Sequence, residues 1–474
     1  MKKSILTLFI AGLLTIPAFA SRISGTRLGA GKQSAGFFVE AYSTTGRVWF
    51  SSVKFDEAGR FSLELPDQEA LVYWIDNFPV YILPKQNLEI VLPERKGSVA
   101  VIGAGNSAAA AVSSATPQEN NIQILGKSSA NALMIYQVNT LWASLIKEKA
   151  NQPSLDDISK QHAQLVKLIK KGKDLQLKNL ASFYNDTRCL EAKVQYLRAH
   201  PSQKPVAADV EILNKVSLNN PAINTLKPIG IRSLVTNYYQ LSALAKGLGF
   251  EDEEMLDNAS LVKIQFLLDQ VNNERVLNEE LVQRINYYLS IKGWNPELDA
   301  MINLTMEKVK NQESKKLLLD AKEKYSKVSK NAMAPDFAIP DATGKLVKLS
   351  DFKGKILAID VWATWCLPCM HTLPSFLALR AHYKDNPNVA FVTISTDNKA
   401  SKGKWLAFLK AKNMNGIDLH AGDPAASAFE KAYNITGIPR YILIDRQGRI
   451  LEDHAVGAYD PAYEKLILEA IQAK

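Results

Sequence analysis

Two of the chain's three cysteines stand three residues apart in Trp365-Cys366-Leu367-Pro368-Cys369, and this spacing sets the chemistry open to them. At the start of an amphipathic stretch, residues three apart share one face of a first helical turn, near enough for a disulfide that opens and closes reversibly. The first cysteine meets unpaired backbone N–H groups and the positive end of the helix dipole, both of which favour a thiolate. Cys366 is therefore read as the nucleophile and Cys369 as the resolving thiol. A structural zinc site needs two further Cys or His ligands at matching spacing; none is visible, so no metal is expected. Cys189, within Tyr184-Asn185-Asp186-Thr187-Arg188-Cys189-Leu190, has no second cysteine beside it and reads as a buried small apolar residue.

The strand-like run Ile356-Leu357-Ala358-Ile359-Asp360-Val361-Trp362 delivers the pair. After it the pattern predicts a helix to about Tyr383, a strand from Val389 to Ser395, a helix from Trp405 to Lys412, a strand from Tyr441 to Ile444, a turn at Gln447-Gly448 and a C-terminal helix. That order fits a thioredoxin-like α/β domain over 331–474, its cysteines at the carboxyl end of a buried strand.

The rest of the 474 residues divides by pattern. Lys2 and Lys3, the apolar run from Ile5 to Ile16 and the Ala18-Phe19-Ala20 end predict a signal peptide over 1–20, hence export to the periplasm or cell envelope. Residues 21–100 alternate with period two between turn residues, which predicts an antiparallel β-sandwich, with Asp56-Glu57-Ala58-Gly59-Arg60 as a hairpin connection. Residues 101–121 collapse to Gly, Ala, Ser, Thr and Asn and read as a linker; Gly103-Ala104-Gly105 lacks the context of a dinucleotide site. From 122 to 330 helical periodicity dominates, predicting an all-α middle domain. The formal charge is +9, and removing Lys2 and Lys3 with the leader lowers it by two, to +7. The basic residues mix with acidic ones, as in Lys308, Lys310, Glu313, Lys315 and Lys316, so no nucleic-acid partner is expected.

Over roughly Ala334 to Lys474 the sequence resembles the TlpA/ResA group of exported thioredoxin-like disulfide reductases. The resemblance is carried by Ala334-Pro335-Asp336-Phe337, by Trp362-Ala363-Thr364-Trp365-Cys366-Leu367-Pro368-Cys369 and by Gly437-Ile438-Pro439. The regions before it are similar, more diffusely, to the accessory domains of Bacteroidetes-type members. The resemblance implies that Pro439 is a cis-proline facing the cysteines and that the backbone at Ile438 pairs with an incoming client. It also implies supporting places for Trp365 and Pro368 and a buried acid at Asp360, whose burial would raise its carboxyl pKa and make it a candidate proton relay to Cys369, the plain alternative being an Asp at the edge of a strand. Many relatives have Glu where Thr372 stands, so proton handling by that glutamate does not carry over. Arg440 replaces a smaller residue and reads either as a selector of acidic clients or as a solvated strand residue.

These readings converge on an exported thiol-disulfide oxidoreductase that reduces protein disulfides through a Cys366/Cys369 cycle. Its redox group is the disulfide itself, with no bound cofactor. Its partners are a disulfide-containing protein and a thiol donor protein, a membrane-embedded donor among the options. A client-binding accessory protein with a secondary redox domain is the alternative. A peroxidase ranks last, because Ala363 stands three before Cys366 where peroxiredoxins place Thr.

Overall fold

The computed structural model describes residues 22–27, 37–43, 46–65, 71–75, 78–82, 87–92, 123–125, 129–148, 153–252, 255, 257, 260–422 and 425–473. The expected leader and linker lie outside the described residues. The chain forms two compact units, divided between Phe250 and Glu251.

Among the described residues of the first unit, eight strands, β1 (Arg22–Arg27), β2 (Phe37–Ser43), β3 (Gly46–Val53), β4 (Arg60–Glu64), β5 (Leu71–Ile75), β6 (Phe78–Ile82), β7 (Asn87–Leu92) and β8 (Gln123–Leu125), make two four-stranded sheets. Their orders are β4-β1-β7-β8 and β3-β2-β5-β6. Ile23, Phe61, Leu88 and Ile90 of the first sheet share one core with Val39, Tyr73, Ile75 and Val80 of the second. Two expectations need correction. Strands β1 and β7 run parallel, from Arg22 opposite Asn87 to Arg27 opposite Leu92. No short loop ties these two strands, and strands without a hairpin between them are free to pair in the same direction. The Asp56–Arg60 turn does form, with the Asp56 carboxylate accepting from Ala58 N–H and Arg60 N–H. However, β3 and β4 on either side of it belong to different sheets, so it is a corner rather than a hairpin.

Gly25 makes the parallel pairing possible. A Cβ at this position would lie 1.7 Å from the carbonyl oxygen of Ile90, its partner across the pair. Gly25→Ala is therefore expected to force β1 from β7 and to cost about 3 kcal/mol, at the upper end for an overpacked site. Denaturant unfolding of the full chain, followed at the first unit's tryptophans, checks this; an unchanged midpoint would mean that the strands part without cost.

Between 129 and 326 the described residues form helices and turns, without a strand. The stretch expected to be one domain over 122–330 is divided: helices up to Pro228–Ala245 fall in the first unit, those from Leu261–Gln270 to Gln312–Ser326 in the second. The reason is visible in the bonds of the later helices. Asn434 donates to the Lys324 carbonyl at 2.7 Å, and Thr436 donates to the Ser290 carbonyl at 3.4 Å. Helical periodicity marks a helix but not the surface it packs on.

The second unit is built on a five-stranded sheet, β13 (Ile417–His420), β12 (Val389–Ser395), β11 (Ile356–Trp362), β14 (Arg440–Ile444) and β15 (Ile450–Ala455) in that spatial order. A separate pair, β9 (Ala338–Pro340) and β10 (Leu346–Lys348), precedes it. Strands β11, β12 and β13 are parallel, and β14 and β15 antiparallel. All seven residues of β11 are buried, as a strand covered on both faces requires. Leu357, Ile359 and Val361 meet Phe429 and Tyr433 on one face, while Ile356 and Ala358 meet Phe376, Tyr441 and Tyr463 on the other.

Candidate active site

Strand β11 ends at Trp362, and a short turn leads into the helix Leu367–His382 with Cys366 as its N-cap. A cap residue accepts from the open N–H groups of the first turn, and here the acceptor is sulfur: Cys369 N–H donates to Cys366 Sγ at 3.1 Å. Cys366 and Cys369 are joined in a disulfide, with Cα atoms 5.3 Å apart. Pro368 falls in the first turn, where a missing N–H costs nothing, and Pro374 lies inside the same helix.

The surroundings of the sulfurs are asymmetric. Cys366 and Cys369 are 4% and 1% exposed, whereas Trp365 and Leu367 beside them are 66% and 68% exposed. Cys366 Sγ lies 3.6 Å from the carbonyl oxygen of Ile438. The Ile438–Pro439 peptide bond is cis. The motif, the Ile438 loop and the cysteine helix thus meet at the carboxyl end of β11.

Asp360 is buried, and alternation along β11 gives it the face shared by Ile356 and Ala358, which the cysteine helix covers through Phe376. It stands opposite Tyr441 in the β11/β14 register. Burial pushes its carboxyl pKa up to about 8, so the group is mostly protonated at neutral pH. The reading as a strand-edge acid is excluded by the central position of β11. Thr372 turns inward on its own helix, its hydroxyl near the carbonyls of Pro368 and Cys369 at 3.4 and 3.3 Å.

Two residues sit differently from the sequence reading or were missed by it. Arg440 is buried, its guanidinium turned to Asp453, so it neither meets solvent nor selects acidic clients. Asp397, which the sequence reading passed over, fixes the turn before the cysteines: its carboxylate accepts from Thr364 N–H and the Thr364 hydroxyl, both at 2.8 Å, and from Ser395 Oγ at 2.7 Å. The available signal was an acid two residues beyond the apolar strand Val389–Ser395, at the same sheet end as the cysteines. Cys189 is free and buried, and burial pushes its thiol up to about 12, which keeps it protonated. Among the described residues no group of three or more His, Cys, Asp or Glu is placed to hold a metal, and no helix is long and apolar enough to cross a membrane.

A mixed sheet of this order, carrying a helix-capping disulfide opposite a cis-proline, places the C-terminal part of the chain among the thioredoxin-type redox domains. Residues 329–467 match the family model described as Redoxin. The thioredoxin-like protein YneN of Bacillus subtilis is 30% identical over 154 residues, 31% of this chain and 75% of that protein. The thiol-disulfide oxidoreductase ResA of Bacillus thuringiensis subsp. konkukian is 28% identical over 131 residues, 27% of this chain and 72% of that protein. A solved structure of a thiol-disulfide oxidoreductase from Bacteroides fragilis is 27% identical; 28% of this chain and 98% of that one are covered, with a TM-score of 0.26. The chain belongs to the TlpA/ResA-like thioredoxin-fold family of thiol-disulfide oxidoreductases.

Proposed function

We propose that the protein is an exported reductase of protein disulfides. The observation that carries this reading is the place of Cys366 Sγ, at a helix N-terminus, accepting the Cys369 N–H and beside the Ile438 carbonyl. Reduced Cys366 in that position is a stabilised thiolate. It attacks one sulfur of a client disulfide; the other client sulfur leaves as a thiolate and takes up a proton. Cys369 then loses its proton to Asp360 in its ionised form, the minority form at neutral pH, and attacks Cys366 Sγ. The client's second thiol is released, and the enzyme is left as the Cys366–Cys369 disulfide. Two electrons pass to the client, and a dithiol donor protein, soluble or membrane-embedded, returns them. The cysteine pair is itself the redox group, so the cycle uses no bound cofactor.

Direction follows from the two residues between the cysteines. Leu367 and Pro368 bring no imidazole to the sulfur, and a strongly oxidising site owes its power to a strongly stabilised reduced form. Reduction of clients is therefore the favoured direction. Backbone pairing at Ile438 and Pro439, with Trp365 exposed alongside, gives an extended client segment its footing. Export rests on the charged and apolar pattern of residues 1–20.

The test is capture in the native compartment. Cys369→Ser keeps the nucleophile and removes the resolving thiol, so disulfide-linked adducts on Cys366 are expected to accumulate, and to be found in the envelope fraction of fractionated cells. Adducts confined to the cytoplasm would overturn export; failure to trap any adduct, with Cys366 shown to be reduced, would overturn the client cycle.

A further inference from the structure

Behind the Ile438-Pro439 loop runs a buried polar seam that the cysteine cycle does not use. Arg440, the residue after Pro439, donates through Nε to the main-chain carbonyl of Asp453, and its Nη2 lies 3.5 Å from the Asp453 carboxylate. The same carboxylate oxygen is 2.8 Å from Nδ1 of His454. On its other side His454 presents Nε2 to the Ser290 carbonyl at 3.2 Å, near the end of the helix Val282–Lys292. Thr436, two residues before Ile438, donates to that same carbonyl at 3.4 Å. Tyr325, on the helix Gln312–Ser326, feels the charges of Arg440 and Asp453. Gly293 closes the seam: its φ is +75°, and a Cβ there would stand 2.6 Å from His454 Nδ1 and 2.7 Å from Asp453 Oδ2. Only glycine lets the helix end come this near.

The two atoms facing the imidazole are a carboxylate oxygen and a carbonyl oxygen, and both only accept. A neutral imidazole carries one N–H and one lone pair, so it satisfies one of them; an imidazolium satisfies both. The charge-assisted bond to Asp453 is the stronger and retains the Nδ1 proton. The Nε2 proton then decides whether Ser290 is held or repelled.

We propose that His454 is a positioning residue for client binding: as an imidazolium it ties the helix Val282–Lys292 to the loop carrying Ile438 and Pro439, and loss of its Nε2 proton loosens the loop's grip on a client. This rests on the oxidoreductase reading and adds regulation to the same site. Burial, the largest influence, holds the His454 pKa below its ordinary value, with Arg440 acting the same way and Asp453 and the Ser290 carbonyl acting against both. The tie therefore strengthens as pH falls below the ordinary histidine range.

The full chain is assayed with a short peptide closed by one disulfide and with hydroxyethyl disulfide, which is too small to span the loop and reports on the cysteines alone. Wild type is expected to show a KM for the peptide about fivefold higher at pH 7.5 than at pH 5, the worth of one net hydrogen bond. His454→Gln, whose amide can donate to Ser290 at every pH, is expected to lose that dependence. The small disulfide is expected to show no dependence on residue 454. Identical KM profiles for wild type and His454→Gln would overturn the proposal while leaving the oxidoreductase reading intact. Absence of turnover of both disulfides by wild type would overturn the reading instead. Histidine NMR titration of the wild-type chain gives an independent check: a His454 ring that stays neutral down to pH 4 would remove the proposal whatever the kinetics.

Discussion

Cys366→Ala is expected to lower disulfide turnover to that of the thiol donor alone, a loss on the order of 10^3-fold or more, because no other described thiol shares its position. Cys369 is buried at 1% exposure, and Cys189 is held protonated in the first unit, so neither can take over the attack. The variant also loses a sulfur that accepts the Cys369 N–H. A lost cap costs about 1 kcal/mol, which leaves the second unit folded on its sheet. Circular dichroism and a thermal melt establish the fold, and stopped-flow turnover of a model disulfide gives the rate. Turnover at the wild-type level would exclude Cys366 as the nucleophile. Loss of activity together with loss of the melt would point to structure instead.

Asp360→Asn is expected to separate attack from resolution and to change stability in the opposite direction. The asparagine keeps the shape and removes the proton acceptor, so attack by Cys366 persists while resolution by Cys369 slows, about 10^2-fold near neutral pH. Mixed disulfide accumulates, and the defect shrinks in alkaline solution, where Cys369 ionises without help. In the folded chain Asp360 holds its proton up to about pH 8, against about 3.9 when unfolded. Its contribution to stability is therefore complete below pH ~3.9, erodes as pH rises between the two values and is gone above about pH 8. Asparagine cannot ionise, so the variant is expected to become progressively more stable than wild type across that window, by several kcal/mol at its alkaline end. Acid-quenched trapping across pH measures the first effect and urea unfolding across the same range the second. Unchanged resolution at every pH would reduce Asp360 to a structural residue; equal stability at pH 8 would show that it ionises without penalty.

What the sequence disclosed was governed by how local the cause is. The capping disulfide depends on residues three apart within one turn, so Cys366 and Cys369 could be placed from spacing. Burial of Asp360 was implied by the family resemblance, and its physical cause is that every residue of β11 is buried in a strand covered on both sides. Arg440 was misread because its partners come from Asp453 on the neighbouring strand and, through His454, from Ser290, which lies 164 positions before His454. No window of sequence contains them together. The parallel β1/β7 pair escaped for the same reason: alternation announces each strand but not which sheet receives it. Asp397 could have been found, since an acid just past an apolar strand, at the sheet end that carries cysteines, has few ways to be buried without binding the neighbouring turn.

The disulfide closes a very small ring, with two residues between its ends. A covalent link stabilises a fold mainly by denying freedom to the unfolded chain, and that denial grows with the loop: roughly 2 kcal/mol for a ring of this size against about 4.7 for one of a hundred residues. Both cysteines also belong to a helical turn that the sheet and the Leu367–His382 helix hold in place by other means. The chain can therefore gain or lose its electron pair with little change in what keeps it folded, and oxidation state becomes a local variable, free to cycle many times without the tertiary structure melting and re-forming each time.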